Sequence, residues 1–343
     1  MKKVVLVAGS LDPLVSYEYH NFLKPLEKLG CVVIPFDFLA RMRALGRKEM
    51  NRELLDVIRR GQPELVYFVP HTDQFIPEIV DEIGRHAITL GYLFDDMWRI
   101  GYSRFWARHF TYITTSDING VKKFREAGFH NVIFSPFACN HHNFCKKDLP
   151  QLYDVTFVGQ YHPYREWYIN RLIKAGIEVL VWGVGWPGNM LSMQKMVNVF
   201  NQSRINLNLS NCVSWDIRYL ATPFRPLKST LRAWRQVAHA IIHPNIKTVE
   251  QVKGRHFEIN ACGGFQLSYY VEGLERLYAI GDEIALFVSS EDLIEKTRYY
   301  LKHEDEREAI AQRGYERTLR EHTMEKRFAD LFDAIGLQKW RKD

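Results

Sequence analysis

Short apolar segments alternate with amphipathic helical segments along most of this 343-residue chain. In the first 140 residues the apolar segments lie at 4–8, 31–38, 65–69, 88–94, 112–115 and 132–135. Helical periodicity fills several of the intervals, and glycines such as Gly30, Gly61 and Gly128 close the helices. Short strands separated by helices predict an α/β fold with a parallel, doubly wound sheet, in which ligands bind at the carboxyl ends of the strands.

The same alternation restarts after a polar, irregular stretch at 141–153, which we interpret as a linker. A chain of 343 residues exceeds the size at which one core usually keeps growing, so two domains are expected. We predict a Rossmann-like domain at 1–140 and a second one at 154–325, facing each other across a cleft. A last helix within 326–343 is predicted to pack back on the N-terminal domain.

The composition is that of an ordinary soluble globular protein, with 46% hydrophobic and 25% charged residues. No run of apolar residues approaches the roughly 18 that a membrane-spanning helix needs. The five cysteines are scattered and contain no CxxC pair, which argues against a disulfide framework or a zinc site. We therefore expect a reducing, cytoplasmic location.

The net charge of +6 is concentrated in one window. Between Asp216 and Glu250 there are six lysines and arginines and no acidic residue, which predicts an anionic ligand or surface nearby. Residues 230–242 form an amphipathic helical pattern with Arg232 and Arg235 on one stripe. These arginines are candidates for contact with a lipid-linked acceptor molecule, with a phosphate, or with the inner face of a membrane. Alternatively, the apolar stripe packs on the domain and the arginines face solvent or a phosphate. Nucleic acid is not an expected partner, because no binding motif accompanies the charge.

Residues 250–265 bring together the groups that a nucleotide-sugar site needs. Glu250 and Glu258 stand eight positions apart with Lys253 and Arg255 between them, and Gly263 and Gly264 follow. Carboxylates grip sugar hydroxyls, Lys and Arg neutralise a diphosphate, and glycines let backbone approach a ligand.

Each of these charged residues has a simpler alternative. Glu258 lies between Phe257 and Ile259, where an unpaired buried charge would be costly, and this favours a functional role. Glu250 is either a contact of the donor sugar or a surface helix residue. Lys253 and Arg255 are either diphosphate ligands or solvated surface charges.

The C-terminal half resembles the GT-B glycosyltransferases, in particular the family that includes the CgeB-type spore maturation proteins. The resemblance is carried by residues 154–159, 182–186, 203–210, 253–265 and 281–284. It implies transfer of a sugar from a nucleotide diphosphate sugar to a glycan, lipid-linked or protein acceptor. It also implies that Glu258 holds the nucleotide ribose and that Glu250 lies nearer the donor sugar. The alternative function is a non-catalytic nucleotide- or sugar-binding protein on the same fold.

Three residues of the N-terminal half are candidates for receiving the acceptor proton. Asp95 and Asp96 follow the predicted strand at 88–94, where a carboxylate can act as a base, although an Asp there also suits a helix N-cap. His71 follows the strand at 65–69 and is either a base, a donor contact or a structural loop residue.

Gly159 and Gly183 complete the predicted donor site, since turns after strands allow a phosphate to come close, although plain tight turns explain them equally well. No GxGxxG follows a first strand, which counts against an NAD enzyme. No DxD pair occurs, so we predict transfer without a metal or other cofactor, with Lys, Arg and a helix N-terminus binding the diphosphate.

Overall fold

A computed structural model describes residues 2–13, 16–210 and 250–337 of the chain. The chain divides into two compact units. Unit 1 comprises Met1–Asn140 and Thr323–Asp343, and unit 2 comprises His141–His322. Each unit is built around its own parallel β-sheet.

Unit 1 contains a six-stranded sheet in the order β2-β1-β3-β4-β5-β6, all parallel. Its strands are β1 (Lys3–Ala8), β2 (Val32–Asp37), β3 (Leu65–Phe68), β4 (Ile88–Tyr92), β5 (Tyr112–Thr115) and β6 (Val132–Phe134). The α-helices described in its N-terminal part, within residues 16–140, are α1 (Lys24–Lys28), α2 (Phe38–Gly61), α3 (Pro77–Gly84), α4 (Asp96–Trp106) and α5 (Gly120–Glu126).

The four central strands of unit 1, β1, β3, β4 and β5, are buried on both faces, as the unbroken apolar runs predict, whereas the edge strands β2 and β6 are partly exposed. On β1, Val5 and Val7 face one core cluster, whereas Val4 and Leu6 face another. All four side chains are at most 1% exposed. Because successive side chains of a strand point to opposite faces, the sheet is covered on both sides.

Unit 2 contains a five-stranded parallel sheet in the order β11-β10-β9-β7-β8. Its strands are β7 (Tyr153–Val158), β8 (Leu180–Trp182), β9 (Ser203–Asn208), β10 (Gln266–Tyr269) and β11 (Ala285–Phe287). Its described helices are α6 (Pro163–Lys174), α7 (Met193–Gln202), α8 (Arg255–Ala261), α9 (Ser290–Lys302) and α10 (Glu304–Glu321). Among the described residues, every helix is too short or too polar to cross a bilayer.

Both sheets share one winding order, in which the first strand lies between the second and the third. The chain therefore forms its second strand on one side of the first strand and then crosses to the other side to form the third. This reversal opens a crevice at the carboxyl ends, between β1 and β3 in unit 1 and between β7 and β9 in unit 2.

The last described helix, α11 (Met324–Ala334), packs in the core of unit 1. The backbone N–H of Met324 donates to the carbonyl of Cys139 at 2.9 Å. Phe328 is fully buried, with its ring 5.5 Å from that of Tyr67 and 6.2 Å from that of Phe22. The chain thus completes unit 1 with residues that follow unit 2 in sequence.

Two helical segments of unit 1 differ from the predicted ones. The helix predicted at 53–60 extends over Phe38–Gly61, because the Asp37 side chain caps it by accepting from Ala40 N at 2.8 Å, and it is kinked at Gly46. The helix predicted near 18–29 contains a five-residue π-helix, Tyr19–Leu23, before α1.

Substitution of Phe328 by Ala is expected to lower the free energy of unfolding of unit 1 by about 3–5 kcal/mol, because it leaves a cavity between α11 and the sheet. Phe105→Ala is the matched control, since Phe105 lies on α4 and is 44% exposed. Urea unfolding followed by circular dichroism measures both. Equal losses in the two variants would contradict the packing of α11.

Candidate functional site

Two turns meet at the carboxyl edge of the unit 2 sheet, on either side of its crevice. Gly159 and Gln160 follow β7, and Leu209 and Ser210 follow β9. The Ser210 hydroxyl is buried and has no hydrogen-bond partner among the described residues. A buried hydroxyl without a partner at such an edge is a group that a ligand can satisfy.

Arg165 in the first turn of α6 joins these turns. Its Nε donates to the carbonyl of Leu209 at 2.8 Å, and one terminal nitrogen donates to the carbonyl of Gln160 at 2.7 Å. Sequence reasoning missed this residue. The available signal was a cation in the first turn of a helix, a position that the helix dipole disfavours.

Position 183 requires a glycine, because two turns approach each other too closely there to leave room for a side chain. Its φ is +140°, and a Cβ placed on it would lie 2.0 Å from the carbonyl oxygen of Gly159. Gly159 N also donates to the carbonyl of Trp182 at 2.9 Å. Packing between the turns after β7 and β8 thus accounts for Gly183, and a Cβ on Gly159 would lie 2.8 Å from the ring of Phe157. The contact of both glycines with a donor remains a prediction.

Glu258 lies in the first turn of α8 and is held by Arg255. One carboxylate oxygen is 2.6 Å from a guanidinium nitrogen, and the two side chains are 8% and 25% exposed. Arg255 also lies 5.0 Å from the ring centre of Phe200. Burial raises the pKa of Glu258 above its usual range, and the positive charge of Arg255 opposes that rise.

The segment before α8 is held by His256, which the sequence did not single out. His256 Nδ1 lies 3.1 Å from the backbone nitrogen and 3.0 Å from the carbonyl oxygen of Lys253. Burial lowers the pKa of His256 to about 4, so the ring is neutral at pH 7. Lys253 and Glu250 are both partly exposed at this end of α8.

A buried polar network attaches α8 to the sheet. Gln266 Nε2 donates to Asn260 Oδ1 at 2.9 Å and to the carbonyl of His256 at 3.0 Å. Asn208 Nδ2 donates to Gln266 Oε1 at 2.7 Å. Since buried polar groups are costly when unpaired, this network fixes the position of α8 and of Glu258 on it.

Gly263 and Gly264 lie at the opposite edge of the sheet from Gly159. They border a small hollow together with Ser203, the first residue of β9. A Cβ on Gly264 would lie 2.8 Å from the carbonyl oxygen of Phe200. Close packing at the amino ends of the strands explains Gly264, and a φ of +67° explains Gly263. The contact of this glycine pair with a donor remains a prediction.

The two adjacent aspartates of unit 1 differ in exposure. Asp96 is 1% exposed and accepts a hydrogen bond from Ser103, whereas Asp95 is partly exposed and directly precedes α4 with a φ of +71°. Burial raises the pKa of Asp96 to about 7, opposed by the hydroxyls of Ser103 and Thr115. Of this pair only Asp95 is accessible at the surface of unit 1, and the role of either carboxylate as a base remains a prediction.

His71 lies at the crevice of the unit 1 sheet. A Cβ on Gly9, which follows β1, would lie 2.2 Å from its Cε1, so the ring packs directly on that turn. Its Nε2 is 3.3 Å from a carboxylate oxygen of Glu18. Sequence reasoning missed Glu18, because it lies 53 positions from His71.

Arg232, Arg235 and the amphipathic pattern at 230–242 lie outside the described residues. Their predicted contact with an acceptor, an anion or a membrane therefore remains a prediction.

The Asp96→Asn substitution is expected to become more stabilising relative to the wild type as pH rises from about 4 to 7. In that window folded Asp96 holds a proton that the unfolded state has lost, so the wild-type free energy of unfolding falls with rising pH. Asn does not titrate and so removes this pH dependence. Each unit by which the pKa of Asp96 differs between the folded and unfolded states changes the free energy of unfolding by about 1.4 kcal/mol. Urea unfolding at pH 5 and pH 8 measures it, with exposed Asp56→Asn as control. A difference that does not change with pH would contradict the prediction.

The structure resembles solved GT-B glycosyltransferases over nearly its whole length. Anabaena HepE in complex with UDP-glucose matches with a TM-score of 0.62 and 9% identity, over 98% of this chain and 100% of that one. Sucrose-phosphate synthase of Thermosynechococcus elongatus matches with a TM-score of 0.62 and 10% identity, over the same shares. A glycosyltransferase of Rickettsia africae matches with a TM-score of 0.65 and 8% identity, over 98% and 99%.

Residues 225–333 match the family described as glycosyl transferase-like. No curated protein matches the chain by sequence. The predicted fold class, with two Rossmann-like domains, is confirmed by the two parallel sheets and by these neighbours. The chain therefore has the GT-B fold, and the stretch with Glu250, Lys253, Arg255 and Glu258 matches a glycosyltransferase-like family.

Proposed function

We propose that this chain transfers a sugar from a nucleotide diphosphate sugar to a hydroxyl of a glycan, lipid-linked or protein acceptor. Unit 2 binds the donor and unit 1 presents the acceptor. The observation that carries the proposal is the ion pair between the buried Glu258 and the partly exposed Arg255 on α8, inside the segment that matches the glycosyltransferase-like family. Within that class we place the chain near the CgeB-type family, on the basis of residues 253–265.

Glu258 is assigned to the ribose of the donor. Its side chain is 8% exposed, and Arg255 contacts one carboxylate oxygen. A desolvated carboxylate forms strong hydrogen bonds with hydroxyl donors, and a ribose offers two adjacent hydroxyls. The network through Gln266 keeps the helix that carries this carboxylate in place.

Lys253, together with Arg255, is assigned to the diphosphate. Both side chains lie at the start of α8 and are partly exposed, so a ligand can reach them. Their charge stabilises the negative charge that builds up on the leaving group, which is the dominant effect in such transfers. Glu250 lies five positions before Arg255, the first residue of α8, and is assigned to the donor sugar.

In the transfer, the acceptor oxygen forms a bond to the anomeric carbon while the bond from that carbon to the diphosphate oxygen breaks. The nucleoside diphosphate leaves with the bonding electron pair. If the configuration inverts, the acceptor proton passes to a base of unit 1, for which Asp95 and His71 are the partly exposed candidates. If the configuration is retained, the leaving phosphate takes the proton.

A second candidate is a non-catalytic nucleotide- or sugar-binding protein. The observation in its favour is that Asp96, one of the predicted bases, is enclosed in unit 1. Such a protein would bind nucleotide but release no nucleoside diphosphate when donor and acceptors are supplied together.

We propose that the protein is located in the cytoplasm, with a peripheral contact at the inner face of the membrane. Of the described cysteines, Cys31, Cys139, Cys145 and Cys262 form no disulfide, as expected in a reducing compartment.

A panel of UDP, GDP, TDP and CDP is expected to contain one nucleotide that raises the melting temperature clearly, because only the folded chain binds it. UDP is the first to test, since the Anabaena structure contains UDP-glucose. Glu258→Gln should weaken binding at least tenfold, because a charged hydrogen bond is worth about 1.5–3 kcal/mol. Exposed Glu178→Gln is the control. The donor assignment fails if no nucleotide binds at millimolar concentration; unchanged binding by Glu258→Gln refutes the ribose assignment.

Chelation by EDTA is expected to leave the transfer rate unchanged within twofold, since we assign the diphosphate to Lys253 and Arg255. Release of nucleoside diphosphate measures the rate, with a metal-dependent transferase assayed in parallel as the control. Loss of activity that added magnesium restores would show that a metal takes part.

A further inference from the structure

We propose that unit 1 recognises its acceptor by a single ring-sized apolar group, and that Glu18 accepts a hydrogen bond from the hydroxyl next to that group. The substrate class is thus a hydroxyl carried on an aromatic or compact aliphatic ring. That this molecule accepts a sugar rests on the proposed function, and of the acceptors named there the cavity disfavours a bare glycan. The binding of a ring-sized apolar group to unit 1 does not depend on sugar transfer.

A cavity of about 170 Å³ opens in unit 1, and its wall is almost entirely apolar. It is lined by Tyr17, Glu18, Phe22, Val69, Tyr92, Phe94 and Phe137. An apolar cavity of about 150 Å³ is sufficient to hold benzene. The volume therefore fits one ring and is too small for a long acyl chain.

The cavity lies where a doubly wound sheet binds ligands. Val69 follows β3 and donates its N–H to the carbonyl of Val7 on β1 at 2.8 Å, which places it beside the crevice between these strands. Tyr92 is the last residue of β4, and Phe94 follows it. The lining residues thus come from the carboxyl edge of the sheet.

Glu18 is the charged group in this apolar wall. Its side chain is 15% exposed, and Oε1 lies 3.3 Å from Nε2 of His71. Its other oxygen lies 3.3 Å from the hydroxyl of Ser16. The backbone of His71 is fixed in turn, because Arg99 donates to its carbonyl at 2.8 Å. The carboxylate is therefore held in place at the wall of the cavity.

The cavity wall is built on an unusual local structure. Phe22 belongs to the π-helix Tyr19–Leu23, a conformation that is rare and concentrated at functional sites. Asn21 Oδ1 accepts from Asn140 N at 3.1 Å, and Asn140 Nδ2 donates to the carbonyl of His20 at 2.6 Å. These bonds support the widened turn, so the wall is formed before a ligand arrives.

The chemistry of the wall selects against a bare sugar in the cavity. Sugar hydroxyls on all sides of a ring would lose their water without finding partners on Phe22, Val69 and Phe94, and each such loss is costly. An apolar ring buries its surface at no such cost, and one hydroxyl at its edge is satisfied by Glu18.

Benzyl alcohol and toluene are the probes, with dissociation constants measured by ligand-observed NMR on the full chain. Wild-type protein is expected to bind both, and Val69→Phe, which fills the cavity, should weaken both at least tenfold. Val32→Phe is the matched control, because Val32 lies on β2 of the same unit and is 41% exposed. Phe137→Trp fills the cavity from a partly exposed wall and serves if Val69→Phe does not fold.

Glu18→Gln separates the hydroxyl contact from the apolar contact. It should weaken benzyl alcohol about tenfold, the equivalent of about 1.4 kcal/mol, and leave toluene within twofold. Glu27→Gln is the control, since Glu27 is an exposed carboxylate of α1 that pairs with Lys24. Equal weakening of both probes, or of neither, would refute the assignment of Glu18.

The outcomes distinguish this inference from the proposed function. Nucleotide binding by Val69→Phe should equal that of the wild type. A chain that binds benzyl alcohol but no nucleotide would refute sugar transfer and leave the cavity assignment standing. A chain that binds nucleotide, but binds benzyl alcohol equally with the cavity open and filled, or not at all, would overturn the inference.

Discussion

Parallel pairing of strands that are buried on both faces is the constraint on which the rest of the structure depends. Parallel strands require crossover helices, and these cover both faces of the unit 1 sheet, so Val5 and Leu6 on one strand are both buried. The same pairing directs all the carboxyl ends to one edge. Turns and loops that follow different strands therefore meet there, and at this edge Gly9 contacts His71 in unit 1 and Gly159 contacts Gly183 in unit 2.

Buried polar groups fix the positions of the segments near this edge. In unit 2, Gln266 connects the sheet to α8 and so fixes the helix that carries Glu258. In unit 1, Asp117 is fully buried and one of its carboxylate oxygens lies 2.5 Å from Nζ of Lys123. Such groups are tolerated inside a protein only when they have partners, and the partners specify one arrangement of the loop.

Much of the fold could be predicted from the sequence, because a strand that is buried on both faces has a short continuous run of apolar residues. The runs at 65–69 and 112–115 correspond closely to β3 and β5. Glu258 could be chosen as a site residue because a carboxylate between Phe257 and Ile259 needs a partner. The roles of Gly263 and Gly264 could not be read in the same way, since a glycine that admits a ligand and one that admits a neighbouring backbone have the same sequence signature.

The sequence by itself determined the strand and helix segments, their order along the chain and the charged segment before β10, because each of these depends on neighbours within a few positions. Tertiary structure alone decided which groups meet. It enclosed Asp96 while leaving Asp95 partly exposed, placed Arg165 between two turns, and brought Glu18 to His71 across 53 positions. The physical reason is that burial and hydrogen bonding are properties of a place in the fold, and residues distant in sequence create that place.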